Sequence, residues 1–164
     1  MDRDLKLRQE PNFSIRLLGK EDGAQLLALY TANLSRLQEL GLHEARIPVE
    51  EQIDDVLTPK EGSDLFGIFD QQELIGAVYI TRDFSAPRSA QIGRLIDSHY
   101  QNKGIGGRAL TRIMNELSNR YDRFWAMTRE DNVLARKSLE RAGFAAMSEP
   151  SDDSPNVLYV WGRQ

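Results

Sequence analysis

Three glycines fall within the seven residues Gln101-Asn102-Lys103-Gly104-Ile105-Gly106-Gly107, between an apolar run at 90–96 and an amphipathic run at 104–117. A glycine-rich turn that leads from a strand into a helix points backbone N–H groups outward at the positive end of the helix dipole. Such a turn can hold an anion. Without Cβ atoms at 104, 106 and 107 a phosphate can approach the backbone, and Gln101 and Lys103 can add side-chain donors. The plainer reading, in which these glycines only turn the chain, stays open on the seven residues alone.

Composition narrows the chemistry. The chain has 164 residues and no cysteine, which excludes a disulfide framework, a thiolate metal site and a cysteine nucleophile. Two histidines, His43 and His99, stand far apart, so no histidine metal motif is available and no metal is expected. A net charge of −4 argues against a nucleic-acid surface and suits a cationic partner better. No apolar run approaches the ~20 residues of a membrane span, and the first residues, Met1-Asp2-Arg3-Asp4, are no secretory signal. A cytoplasmic protein without membrane association is the expectation.

The elements that would position the glycine turn follow from periodicity. Residues 1–11 read as a flexible arm and 12–164 as one domain. Phe13, Ile15 and Leu17 alternate as in a strand. From 21 to 40, Ala24, Leu27, Ala28, Leu34 and Leu37 recur at helical spacing, with Gly41 as the stop. A second helix is expected over 49–57 after Pro48, with an acidic face of Glu50, Glu51, Asp54 and Asp55. Runs at 65–69 and 74–80 flank a polar turn and predict a hairpin. The strand at 90–96 places Ala90, Ile92 and Ile96 on one side, with Gly93 as a candidate bulge. The helix after the turn buries Ile105, Ala109, Ile113, Met114 and Leu117. A strand at 123–128 follows, parallel to that at 90–96 through a crossover. Asp131 or Asn132 then caps a helix over 133–142 that stops at Gly143, and two further strands are expected at 145–148 and 157–161.

Two segments carry a resemblance. The run from Ile92 to Gly106 resembles the acetyl-CoA signature of the GCN5-related N-acetyltransferase (GNAT) superfamily, with Gln101, Gly104 and Gly106 at its core. Asn132, Ala135, Leu139, Gly143 and Phe144 resemble that superfamily's next motif. The resemblance implies an α/β fold of α+β type: a mixed, mostly antiparallel sheet of about seven strands, splayed between 90–96 and 123–128, with helices on both faces. It implies acetyl-CoA as cosubstrate. The diphosphate would lie on Gln101, Asn102, Lys103, Gly104, Ile105, Gly106 and Gly107, the pantetheine arm along Leu95, Ile96 and Asp97, and Asn132 would reach an amide of that arm.

The implied reaction is direct acetyl transfer to a primary amine, a small molecule or a protein N-terminus. Many relatives carry a tyrosine at the position of Leu139 and some a serine at that of Ala135, so the hydroxyl that would protonate the leaving sulfur is missing. A water or Ser138 is the substitute. Some relatives have a glutamate at the position of Gln91; the remaining candidates for a base are Glu130, the acids at 50–55, and Asp152 or Asp153. The stretch Ile96 to Ile105, with Tyr30 to Leu42 upstream, is similar to the branch that acetylates ribosomal-protein N-termini, though diamine and aminoglycoside acetyltransferases share much of it; a homodimer stays open. These gaps keep an alternative open, a non-catalytic acyl-CoA-binding domain. A P-loop hydrolase is disfavoured because Lys103 precedes the glycines and no Gly-Lys-Ser/Thr follows.

Overall fold

The computed structural model describes residues 12–39, 50–148 and 155–162. The expected arm at 1–11, the Gly41 stop, His43, Pro48, Val49, Asp152 and Asp153 lie outside these residues. Seven strands form one sheet: β1 (Ser14–Leu17), β2 (Ser63–Asp70), β3 (Glu73–Arg82), β4 (Ser89–Ile96), β5 (Arg123–Arg129), β6 (Ala145–Ala146) and β7 (Asn156–Gly162), in the order β1-β2-β3-β4-β5-β7-β6. Every pairing is antiparallel except β4 with β5.

The helices are α1 (Gly23–Ala32), α2 (Leu34–Glu39), α3 (Glu50–Leu57), α4 (Ile105–Glu116) and α5 (Val133–Arg141). One sheet face packs on α4 and α5 through Ile92, Ile105, Ile113, Phe124, Leu139 and Tyr159. The other packs on α1, α2 and α3 through Leu26, Tyr30, Leu37, Ile53, Ala77 and Leu95. Strand alternation sends successive side chains of β3 and β4 to these two cores. No helix among the described residues is long and apolar enough to cross a membrane.

The parallel pair decides where a ligand can enter. β4 and β5 are paired only at Ser89↔Arg123, Ala90↔Phe124 and Gln91↔Trp125. Beyond Gln91 they diverge while β4 stays paired with β3 as far as Ile96 and β5 with β7 as far as Arg129. Gly93 is no bulge: the β3–β4 register runs unbroken through it, and the irregularity in this region falls at Ile68 and Phe69 in β2. A Cβ at Gly93 would stand 3.0 Å from the ring of Tyr79, so close packing explains the glycine.

The helix expected over 21–40 is divided. A 3₁₀ turn at Lys20–Asp22 leads into α1, and Asn33 separates α1 from α2. Apolar periodicity continues across the break, which is why the sequence reads as one helix. The break comes from the Asn33 side chain, which competes for backbone groups: Nδ2 donates to Leu29 O at 2.8 Å and to Asp97 Oδ1 at 2.9 Å, and Oδ1 accepts from Ser98 N at 3.1 Å. Asn33 is 2 % exposed and ties the α1–α2 junction to the end of β4.

At the start of α1, Asp22 is buried and accepts Arg16 in a bidentate pair at 2.8 and 2.7 Å and the Gly19 amide at 2.8 Å. The hydrogen bonds from Arg16, more than its charge, hold the carboxyl below its usual 3.8, with the Gly19 amide assisting. A depressed native pKa gives stability that is complete above the ordinary carboxylate range and is lost as pH falls through the native value. Asp22→Asn should therefore cost about 1–3 kcal/mol at pH 7. Its stability should also fall less steeply than wild type below pH ~4, as urea titrations at several pH values would show. Equal midpoints for both proteins at pH 7 would refute this.

Candidate functional site

The turn before α4 leaves helix amides open to approach. Asn102 and Gly104 both take left-handed conformations, with φ 63° and 77°. Asn102 is one of the residue types that tolerate this, and a Cβ at Gly104 would meet nothing within 4 Å, so glycine serves the backbone there and leaves the approach open. The first helical bond of α4 runs from Arg108 N to Gly104 O at 3.2 Å. The amides of Ile105, Gly106 and Gly107 precede it and have no partner within the helix. Gln101 contributes less than expected, since its amide points at Ser98 O, 3.4 Å away.

The turn opens onto a cleft of about 900 Å³ between the diverging ends of β4 and β5. Leu95, Ile96, Gln101, Asn102, Gly104, Ile105, Gly106, Gly107, Asn132 and Ser138 all line it. Three expected residues do not. Lys103 lies over the Tyr100 ring, 5.2 Å from its centroid. Asp97 turns toward Asn33 and His99, with Oδ2 3.2 Å from His99 Nδ1. Burial alone would raise the Asp97 pKa, but hydrogen bonds from Asn33 and His99 bring it below the usual value. Glu130 is exposed outside the cleft, its carbonyl accepting Arg136 Nη1 at 3.1 Å.

Backbone direction also amends the expected arm-binding run. The Asp97 amide donates to Ile75 O at 2.8 Å, so Asp97 turns its N–H to β3. Alternation then leaves Ile96 and Arg94 facing the cleft, with Leu95 facing β3. The Ile96 carbonyl is taken by Arg36 Nη2 at 2.6 Å.

Charge in the cleft opposes the charge of the chain. Seven arginine or lysine side chains line it and, among the described residues, no carboxylate does. A net charge of −4 suggested a cationic partner, yet the local field suits a polyanion.

On the α5 side, Asn132 caps the helix, its Oδ1 accepting from Ala135 N at 3.2 Å, which leaves the amide nitrogen to donate elsewhere. Leu139 is wholly buried in the core, whereas Ala135 and Ser138 face the cleft. Arg94 reaches across to α5, donating through Nη2 to Ala135 O at 2.7 Å and to Ser138 Oγ. Burial lowers the Arg94 guanidinium to about 10. Tyr79 also lines the cleft, its hydroxyl 2.8 Å from that of Tyr30, and burial pushes both phenols up.

Residues 26–144 match the family model described as acetyltransferase (GNAT) family. The chain belongs to the GNAT family. Its fold is that of solved acetyltransferases. Ribosomal-protein-S5-alanine acetyltransferase from Vibrio fischeri aligns with TM-score 0.79 at 19 % identity over 92 % of each chain. RimL, a ribosomal L7/L12 α-N-protein acetyltransferase in complex with coenzyme A, aligns with TM-score 0.79 at 18 % identity over 92 % of this chain and 93 % of its own. Aminoglycoside acetyltransferase AAC(6')-Ib, also in complex with coenzyme A, gives 0.75 at 19 % identity over 93 % and 96 %. No curated protein matches the chain by sequence.

The family match spans both segments that carried the resemblance, the glycine turn before α4 and the cap of α5. Sequence reasoning missed Arg94 and Arg36. Arg94 stands inside the first motif, and a charged residue in an otherwise apolar strand was the available signal. Arg36 carried none, because its role depends on the break at Asn33.

Proposed function

We propose that this protein transfers an acetyl group from acetyl-CoA to a primary amine, and that the diphosphate of CoA rests on the amides of Ile105, Gly106 and Gly107. The observation that carries this is the pair of left-handed residues opening α4 into a cation-lined cleft between parted strands. The pantetheine arm is assigned to the cleft-facing backbone of Arg94 and Ile96, with the Asn132 amide nitrogen on one of its amides. Leu95, Asn102 and Gly104 shape the wall, and Gln101 contributes its side chain. RimL, the S5-alanine acetyltransferase and AAC(6')-Ib act on ribosomal proteins or aminoglycosides, and each supports an amine acceptor.

The chemistry needs a neutral amine, a donor for the oxyanion and an outlet for sulfur. An alkylamine with pKa ~10 is protonated at pH 7, and no carboxylate or histidine lines the cleft among the described residues. The proton therefore leaves through water in the open cleft, and of the two cleft-facing amides that of Ile96 is assigned to the arm and that of Arg94, farther along the strand, to the oxyanion.

Two measurements test this. Free-thiol release from acetyl-CoA should appear with N-terminal peptides or small amines, whereas CoA binding without release from any acceptor would favour the binding-only alternative, which the absence of a hydroxyl at Leu139 and Ala135 keeps in view. Activity should also rise tenfold per pH unit up to the acceptor's own pKa. A plateau set at lower pH by an enzyme group would overturn the solvent route.

A further inference from the structure

Strand alternation divides the cleft between the two faces of the sheet. Ile92, Phe124 and Ala126 pack into the core under α4 and α5, and Leu95 into the core under α1–α3, so Arg94 falls on the α4 side and Gly93, Met127 and Arg129 on the other. The cations sort the same way. Arg94, Arg108, Arg112, Lys137 and Arg141 stand on the α4 and α5 side, where the cradle opens, whereas Arg36 of α2 and Arg129 of β5 stand on the opposite side.

The two sides also differ in what covers them. Over α4 and α5 the split is bridged, since Arg94 donates to Ala135 O at 2.7 Å. On the other side, the core under α1–α3 takes residues from β2, β3 and β4 but, among the described residues, none from β5, β6 or β7. That half of the sheet is bare and apolar: Met127 is 46 % exposed and pairs with half-buried Leu158. An acyl-CoA seated at the α4 turn fills the split from one face, so a second substrate reaches its carbonyl from the other, over β5.

Arg36 stands at that entrance with donors to spare. Its Nη2 donates to Asn33 Oδ1 at 2.9 Å and to Ile96 O at 2.6 Å, which fixes the guanidinium against the end of β4. Nε and Nη1 donate to nothing among the described residues. Asp97, the carboxylate whose charge acts on Arg36, is engaged instead by Asn33 Nδ2 at 2.9 Å and His99 Nδ1 at 3.2 Å, so Arg36 has no ion-pair partner among the described residues. Arg129, by contrast, is paired with Asp131 at 2.9 Å. Asp83 accepts from Trp125 Nε1 at 3.1 and 3.0 Å and stays outside the cleft.

We propose that the acceptor is a peptide N-terminus whose second residue is acidic, and that Arg36 sets this specificity by pairing with that carboxylate. The proposal rests on the acetyltransferase reading above and narrows its acceptor. Spacing selects the second residue. From Arg94, whose amide is assigned to the oxyanion, to Ile96, whose carbonyl holds Arg36, β4 advances ~7 Å at ~3.3 Å per residue. An amino acid's own carboxylate lies too close to its amine to span this, whereas the side chain of the next residue reaches it. A polyamine or aminoglycoside would bring further positive charge to Arg36 and find no carboxylate on the described lining. The transfer itself is unaltered: the amine forms the N–C bond, the C–S pair leaves with sulfur, and the amine's proton goes to water.

Free-thiol release from acetyl-CoA tests this on the full chain, with two hexapeptides that begin Ala-Glu and Ala-Gln and are otherwise identical. In wild type kcat/KM should be at least ~10-fold higher for the Ala-Glu peptide, mostly through KM, as one charge-assisted hydrogen bond is worth. The preference should shrink as salt rises from about 0.05 to about 0.5 M. Arg36→Gln should bring the ratio close to one, and Arg36→Lys, which keeps the charge, should retain most of it. Because the readout is a ratio, any general loss of activity from disturbed contacts at Asn33 cancels. A wild-type ratio near one, a preference that survives in Arg36→Gln, or faster turnover of kanamycin or spermidine than of either peptide would overturn the proposal while leaving the acetyltransferase reading intact. No thiol release with any acceptor, although CoA binds, would overturn both.

Discussion

Gly106→Asp should lose at least 100-fold in affinity for CoA by titration calorimetry, about 2.7 kcal/mol, while the protein stays folded. Gly106 is in the first turn of α4, and a Cβ there would lie 3.6 Å from Ile96 Cγ1, 3.7 Å from Arg94 Nε and 3.9 Å from Ser138 Oγ. These are ordinary contacts, so the helix accepts a side chain. The aspartate carboxylate, however, would lie beside the Arg94 guanidinium and among the outward amides of the cradle, where it competes with and repels an incoming diphosphate. Gly106→Ala is the informative control. It improves helix propensity by up to ~1 kcal/mol and adds no charge, so its CoA affinity should fall by less than tenfold. Full-strength CoA binding by a folded Gly106→Asp protein would remove the cradle from the account.

Phe124→Ala should be the most damaging core substitution, costing about 3–5 kcal/mol and lowering Tm by roughly 6–20 °C at ~2–4 °C per kcal/mol for a domain of this size. Phe124 is fully buried and packs edge-on against Tyr121 at 5.6 Å and tilted against Trp161 at 5.7 Å. It also forms the middle pair, with Ala90, of the three that join β4 to β5. Its loss would open a cavity at the point from which the strands diverge. CoA affinity should therefore fall along with stability, which thermal unfolding with and without CoA would resolve. A Tm change under 2 °C would show that the junction is held by other contacts.

Much of the cleft's local geometry was legible because it is contiguous in sequence. The strand, glycine turn and helix at 89–116 are contiguous, and the turn's demand for positive φ at Gly104 and open approach to its backbone is written in residue type. The cap at Asn132 and the αL stop at Gly143, φ 93°, were equally local. The side-chain directions of Lys103 and Asp97 were not legible: Lys103 lies over Tyr100 three residues back, and Asp97 is held by Asn33 from across 64 residues. Ser138 and Leu139 show the finest distinction. Adjacent on a helix, they are ~100° apart, and only the packing of α5 on the sheet decides that Ser138 meets the cleft and Leu139 the core.

By itself, then, the sequence determined the strand order along the chain, the glycine turn that opens α4 and the family, since these depend on periodicity, backbone torsion and motifs a few residues long. Tertiary structure alone decided that β4 and β5 part after Gln91, that a chain of net negative charge encloses a positive cleft, and that Arg94 of β4 reaches the Ala135 carbonyl of α5. The physical reason is the same in each case: solvation and electrostatic field depend on which distant segments surround a group, and no local pattern carries that information.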